Sequence, residues 1–112
     1  METTRQEKIA VALQKELGEI FLLYAREHHR GKLISVTSVR VTPDLSQARV
    51  FLSIFPSNQG GALLAEINTV QKAIRFQLGQ RMRHQLRIIP ELIYQLDDSL
   101  DYLDKIDALL KQ

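Results

Sequence analysis

Ile9, Leu13, Leu17, Ile20 and Tyr24 recur at spacings of three and four residues, which places them on one face of a helix over about Thr4 to Arg26. Thr3 or Thr4 can serve as its N-cap, and Glu7 completes a capping box with Thr4. The helix is expected to fray around His28, His29 and Gly31. From Leu33 the period changes to two. Ile34 and Val36, then Val39 and Val41, alternate with polar residues, and the parity switches near Thr37 and Ser38. A bulge explains the switch, and so does a strand buried partly on both faces. Thr42-Pro43-Asp44-Leu45-Ser46 is a turn, because Pro presets one backbone angle and Asp bonds its own backbone. Ala48, Val50, Leu52 and Ile54 then face one way, and Arg49, Phe51, Ser53 and Phe55 the other. These two segments predict an antiparallel hairpin.

Pro56 to Gly61 breaks the chain. A second helical stripe follows in Leu63, Ile67, Val70, Ile74 and Leu78, and Pro90 closes it. Leu92, Tyr94 and Leu96 predict a third strand. Asp98 or Ser99 caps a last helix, with Leu100, Leu103, Ile106 and Leu110 as its buried stripe. One layer of helices on a three-stranded sheet buries all these faces, so the class is α+β in a single domain spanning residues 1–112.

Charge is distributed unevenly along the chain. Residues 71–90 hold five cations (Lys72, Arg75, Arg81, Arg83, Arg87), one histidine (His84) and no acid. The other 92 residues hold 10 basic and 13 acidic side chains, so the positive charge is concentrated on one segment. Such a concentration is the electrostatic footprint of a phosphate-binding surface. On a continuous helix Lys72, Arg75, Gly79 and Arg83 share an arc of about 80°, with Ile67, Val70, Ile74 and Leu78 opposite. Phe76 lies beside the basic stripe. It is expected to pack under a neighbouring loop or the last helix, with base stacking as the alternative. An ordinary solvated face accounts for such a stripe too, but solvated helices usually interleave both signs.

Composition narrows the chemistry. The absence of Cys excludes disulfides and thiolate chemistry, and three histidines (His28, His29, His84) make a poor metal set. Gly60-Gly61 lacks the Lys-Ser/Thr of a phosphate-binding loop. No catalytic constellation is evident, so no enzyme, cofactor or small-molecule substrate is expected. The longest apolar run, near Ile20 to Leu23, is far below the ~20 residues of a spanning helix, and the first residues lack a secretory layout. No membrane association is expected. The expected compartment is the cytoplasm, and a monomer is the default.

The order of elements and their residues resemble the bacterial ribosome-binding factor A family. The likeness rests on Arg5 to Ile20, the hairpin segment Val36 to Val50, and Ile74-Arg75 with Leu78-Gly79-Gln80-Arg81-Met82-Arg83. It continues through Leu86-Arg87-Ile88-Ile89-Pro90-Glu91-Leu92 and Asp97-Asp98-Ser99-Leu100-Asp101-Tyr102. The resemblance implies a type II KH-like fold, with the three-stranded sheet covered on one face by helices. It implies a noncatalytic factor that binds immature small ribosomal subunits and assists late maturation and processing of 16S rRNA, with importance in the cold. Lys72, Arg75, Arg81, Arg83, His84 and Arg87 are then the expected rRNA-binding residues. A regulator of mature subunits and a protein-interaction module using the acidic last helix are the competing readings.

Two departures from the family pattern stand out. Members usually carry Ala-x-Gly ahead of the basic helix, where this chain has Val70-Gln71-Lys72, so a softer or displaced kink is expected. His84-Gln85 resembles a two-residue insertion and is expected to lengthen the basic helix by about half a turn.

Overall fold

A computed structural model describes residues 4–97. Helix α1 (Thr4–His28) leads into strands β1 (Leu33–Val41) and β2 (Gln47–Phe55), a 3-10 turn at Ser57–Gln59, helices α2 (Gly60–Thr69) and α3 (Gln71–Met82), and strand β3 (Glu91–Leu96). The last helix expected after Asp97 lies outside the described residues.

The α1 stripe is as the periodicity predicts, with Ile9, Leu13, Leu17 and Ile20 buried. Phe21 and Ala25 widen it, and Tyr24 sits at its margin. Gly31 ends the connection to β1 at φ +82, a backbone angle that costs glycine nothing.

The sheet order is β1-β2-β3. β1 and β2 are antiparallel, and β2 and β3 are parallel, from Gln47 opposite Glu91 to Leu52 opposite Leu96. A parallel pair needs a crossover, and α2 with α3 supplies it. The parity switch in β1 is a bulge between Val36 and Ser38. The bulge is held from both sides. Gln14 Nε2 donates to the Val36 and Thr37 carbonyls at 3.3 and 3.2 Å, and the Thr37 hydroxyl reaches Asp97 Oδ2 at 2.7 Å.

The hairpin turn is built around Asp44. Its Oδ1 accepts from the Thr42 hydroxyl at 2.8 Å, the Ser46 hydroxyl at 2.7 Å and the Ser46 N–H at 3.1 Å. These bonds, the Ser46 hydroxyl foremost, hold the carboxyl below its ordinary value.

Ile34, Val39, Val41, Ala48, Val50, Leu52, Ile54, Leu92 and Tyr94 point to one side of the sheet and are buried there. Phe21 meets Tyr94 edge-to-face, with ring centroids 5.7 Å apart. Gly60 starts α2 hard against β3, where an added Cβ would lie 3.3 Å from Leu96 Cδ1. Among the described residues the other side of the sheet carries no helix. Its exposed or half-exposed residues include Arg40, Arg49, Phe51, Phe55 and Ile93.

The two ends of α3 show a displaced kink, as expected, and correct the expected lengthening of the helix. The break falls at Val70, two residues before Lys72, and needs no glycine, because Val70 sits at φ −103, ψ 12. Its N–H reaches the Glu66 and Ile67 carbonyls, both at 3.2 Å, and its own carbonyl accepts from Ala73 and Ile74. One residue thus ends α2 and starts α3 with a negative φ that any L-residue adopts. The Thr69 hydroxyl takes the Glu66 carbonyl at 2.6 Å, which favours the bend. At the other end α3 stops at Met82, eight residues short of Pro90. Gln85 and Leu86 both donate to the Met82 carbonyl at 2.9 Å, so His84-Gln85 forms a turn and does not lengthen the helix.

Candidate nucleic-acid interface

Helix α3 buries Ile74, Leu78 and Met82 and turns its other side outward. Lys72, Phe76, Gly79 and Arg83 fall within an arc of about 60° on that side at 100° per residue. Arg83 extends the line although it is one residue past the helix, because its backbone stays helical (φ −56, ψ −27). Phe76 is 67% exposed and packs under no loop among the described residues, while the last helix, its other expected cover, lies outside them. Its ring lies between Lys72 and Arg83 along the helix. An aromatic face flanked by cations suits a stacked base with phosphates on either side.

The six expected cationic residues divide into two groups. Lys72, Arg83, His84 and Arg87 are exposed. Arg83 Nε lies 3.3 Å from His84 Nε2. Arg75 and Arg81 depart from the single-stripe picture, because each is committed within the chain. Arg75 turns toward the segment before β3, where Nη2 donates to the Ile89 carbonyl at 2.9 Å and Nη1 to the Pro90 carbonyl. Arg81 faces α1, and its Nη1 reaches Glu16 Oε2 at 3.0 Å and Glu19 Oε2 at 2.5 Å. Those acids, Glu16 first, raise its already high pKa. Both arginines fix α3 in place, Arg75 against the sheet and Arg81 against α1.

The sequence reading does not single out a second basic concavity. It has a volume of about 490 Å³ and is lined by Arg26, His29, Arg30 and Lys32 at the junction of α1 and β1. His29 Nε2 lies 2.5 Å from Glu66 Oε2. The same oxygen accepts from the Tyr24 hydroxyl. Burial, then Glu66, pushes the Tyr24 phenol up to about 12, while Tyr24 and then His29 hold the Glu66 carboxyl below its ordinary value. The three side chains pin the end of α1 to α2.

Among the described residues no group of three or more His, Asp or Glu side chains is placed to hold a metal ion. No helix among them is long and apolar enough to cross a membrane.

An αββααβ order, a mixed three-stranded sheet and a broken helix pair define a protein of the α+β, type II KH-like class. The family model described as ribosome-binding factor A matches residues 5–110. The chain is 48% identical over 111 residues to ribosome-binding factor A of Christiangramia forsetii, covering 98% of this chain and 85% of the relative. It is 44% identical over 112 residues to that of Cytophaga hutchinsonii, covering 100% and 84%. The chain therefore belongs to the ribosome-binding factor A family. The fold is similar to the crystal structure of ribosome-binding factor A from Thermus thermophilus, with TM-score 0.66, 23% identity, and 81% of this chain and 94% of that one covered. A homology model of the Thermus thermophilus factor, fitted into a cryo-EM map of a complex with the 30S subunit, aligns with TM-score 0.66 and 25% identity over 80% and 91% of the two chains.

Proposed function

We propose that this chain is a noncatalytic ribosome assembly factor of the cytoplasm. It acts as a monomer, binding immature small ribosomal subunits and assisting late maturation and processing of 16S rRNA. The observation that carries the reading is the acid-free outward side of α3, where Lys72, Phe76 and Arg83 line up beside Arg87. Family membership supports it, as does the relative fitted into a 30S complex. Lys72, Arg83 and Arg87 hold rRNA phosphates, His84 lies at the edge of the site, and Phe76 offers a base its face. Arg75 and Arg81 act indirectly, by holding α3 in position.

The mechanism is conformational. A binder shifts an equilibrium only by its differential affinity for the two states. The cations must therefore grip rRNA that moves on maturation, and release follows from that movement.

The test combines binding and genetics. Changing Lys72, Arg83 and Arg87 together to Gln is expected to leave the fold intact and weaken subunit binding steeply. The plot of log affinity against log salt is expected to flatten by roughly 2 to 2.7 for three lost phosphate contacts. Cells lacking the protein are expected to accumulate immature small subunits with unprocessed 16S rRNA ends, more so in the cold. Normal rRNA ends and subunit ratios at both temperatures would overturn the assembly role and favour a regulator of mature subunits.

A further inference from the structure

The open side of the sheet carries a pattern that the α3 site does not use. The β1–β2 register sets Arg40 directly opposite Arg49, which puts their Cβ atoms about 4.5–5.5 Å apart. Like charges in that relation repel. Both arginines are exposed, and the ion pairs among the described residues involve neither of them. A shallow groove of about 160 Å³ runs between them, with Thr42, Gln47 and Ile93 as its other main walls. Within the three strands Glu91 is the single acid on this side, and Asp97, just past β3, accepts from the Thr37 hydroxyl at 2.7 Å. Glu91 lies at the corner and accepts from Gln47 Nε2 at 3.3 Å.

Aromatic rings continue the line. Phe51 follows Arg49 on the same side of β2 and is half-exposed, and Phe55, four residues on, is 66% exposed. The two rings are separated by about 13 Å along the strand. A guanidinium pair with a gap between them matches a phosphate, whose oxygens accept from both. Exposed rings along the same strand match unpaired bases, since stacking tolerates any base. An acidic protein surface would satisfy the arginines but leave the rings without a matched partner. A duplex keeps its bases stacked inside and cannot use them either.

We propose that this sheet face is a second RNA contact, taking a single-stranded segment with a phosphate between Arg40 and Arg49 and bases stacked on Phe51 and Phe55. The inference rests on the rRNA-binding reading and extends it to a surface separate from α3.

The test uses the full chain with a fluorescent oligouridylate and, in parallel, purified immature small subunits. Arg40→Gln with Arg49→Gln is expected to lower affinity for the oligouridylate about tenfold and to flatten its salt plot by roughly 0.7 to 1.4. Phe55→Leu keeps an apolar side chain but removes the ring. It is expected to cost about fivefold or more with the salt slope unchanged. Circular dichroism melting checks that both variants stay folded. Subunit binding is expected to weaken in both.

Three outcomes overturn the inference. If the double arginine variant binds both probes like the parent while the α3 triple variant is weakened, the sheet contact is wrong and the α3 reading stands. If neither set weakens subunit binding, both readings fall. If the double variant loses subunits but keeps oligouridylate, the face docks a protein and is not an RNA platform.

Discussion

Arg75 separates a structural role from a phosphate-binding one, and Arg75→Met is the perturbation that does so. Methionine keeps an unbranched stem of similar length and removes the guanidinium fork. Two hydrogen bonds are lost, to the Ile89 and Pro90 carbonyls, both from a charged donor. Bonds of that type contribute about 1.5–3 kcal/mol each. The site is half-buried, so water replaces part of what is lost, and a net cost of about 2 kcal/mol follows. The segment affected leads directly into β3, whose first residue Glu91 donates to the Ser46 carbonyl at 2.9 Å. Loosening it therefore strains the parallel pairing with β2. At roughly 4–6 °C per kcal/mol, the melting temperature is expected to fall by about 8–12 °C. Urea unfolding is expected to show a lower midpoint with an unchanged slope. The salt dependence of RNA binding, measured well below the melting temperature, is expected to match the parent. A variant that melts within about 2 °C of the parent and flattens the salt plot by roughly 0.7–0.9 would return Arg75 to the phosphate-binding set.

Tyr94 buries its hydroxyl without a hydrogen-bond partner among the described residues, so Tyr94→Phe is expected to be neutral or stabilising by up to about 1 kcal/mol in urea unfolding. A loss larger than that would reveal a partner for the hydroxyl. Glu66 has a folded carboxyl pKa below its ordinary 4.5, chiefly through Tyr24, so its contribution is present above about pH 4.5 and is lost as the pH falls through the lower folded value. The melting-temperature gap between the parent and Glu66→Gln is thus expected to be widest near neutrality and to close under acid conditions. Lys72→Gly falls in the first turn of α3, past the break at Val70, and is expected to cost less than the ~1 kcal/mol of a helix-interior glycine. Stabilisation by Lys72→Gly would place the strained residue at Lys72 instead.

The sequence is most legible where one period dominates. The α1 stripe, the hairpin and the third strand follow from spacing, because each buries a single face, whereas the register is what decides for a bulge at the β1 parity switch over burial on both faces. Phe21 lies four residues after Leu17, so the same spacing reaches it, and it widens the stripe to one side. Tying the helix break to a glycine puts it at Lys72, two residues too late. Val70 instead breaks the helix with an ordinary negative φ, aided by Thr69.

Charge counting finds the basic segment but not its division. The partners of Arg81 lie more than 60 residues earlier in α1, and those of Arg75 are backbone carbonyls that no charge tally contains. The sequence does place Arg49, Phe51 and Phe55 on one side of a strand. The pairing of Arg49 with Arg40 depends on the bulge, since it sets the register beyond Val36.

Three glutamines reach from the helices to strand carbonyls at both borders of the sheet. β1 and β3 are the outer strands, and an outer strand normally offers its backbone as a template for another chain. Here Gln6 takes the Val41 carbonyl and Gln14 those of Val36 and Thr37 on one border. Gln71 takes the Leu92 carbonyl on the other. Those carbonyls already have donors and are less available to a neighbouring strand, while among the described residues no helix covers the flat face of the sheet.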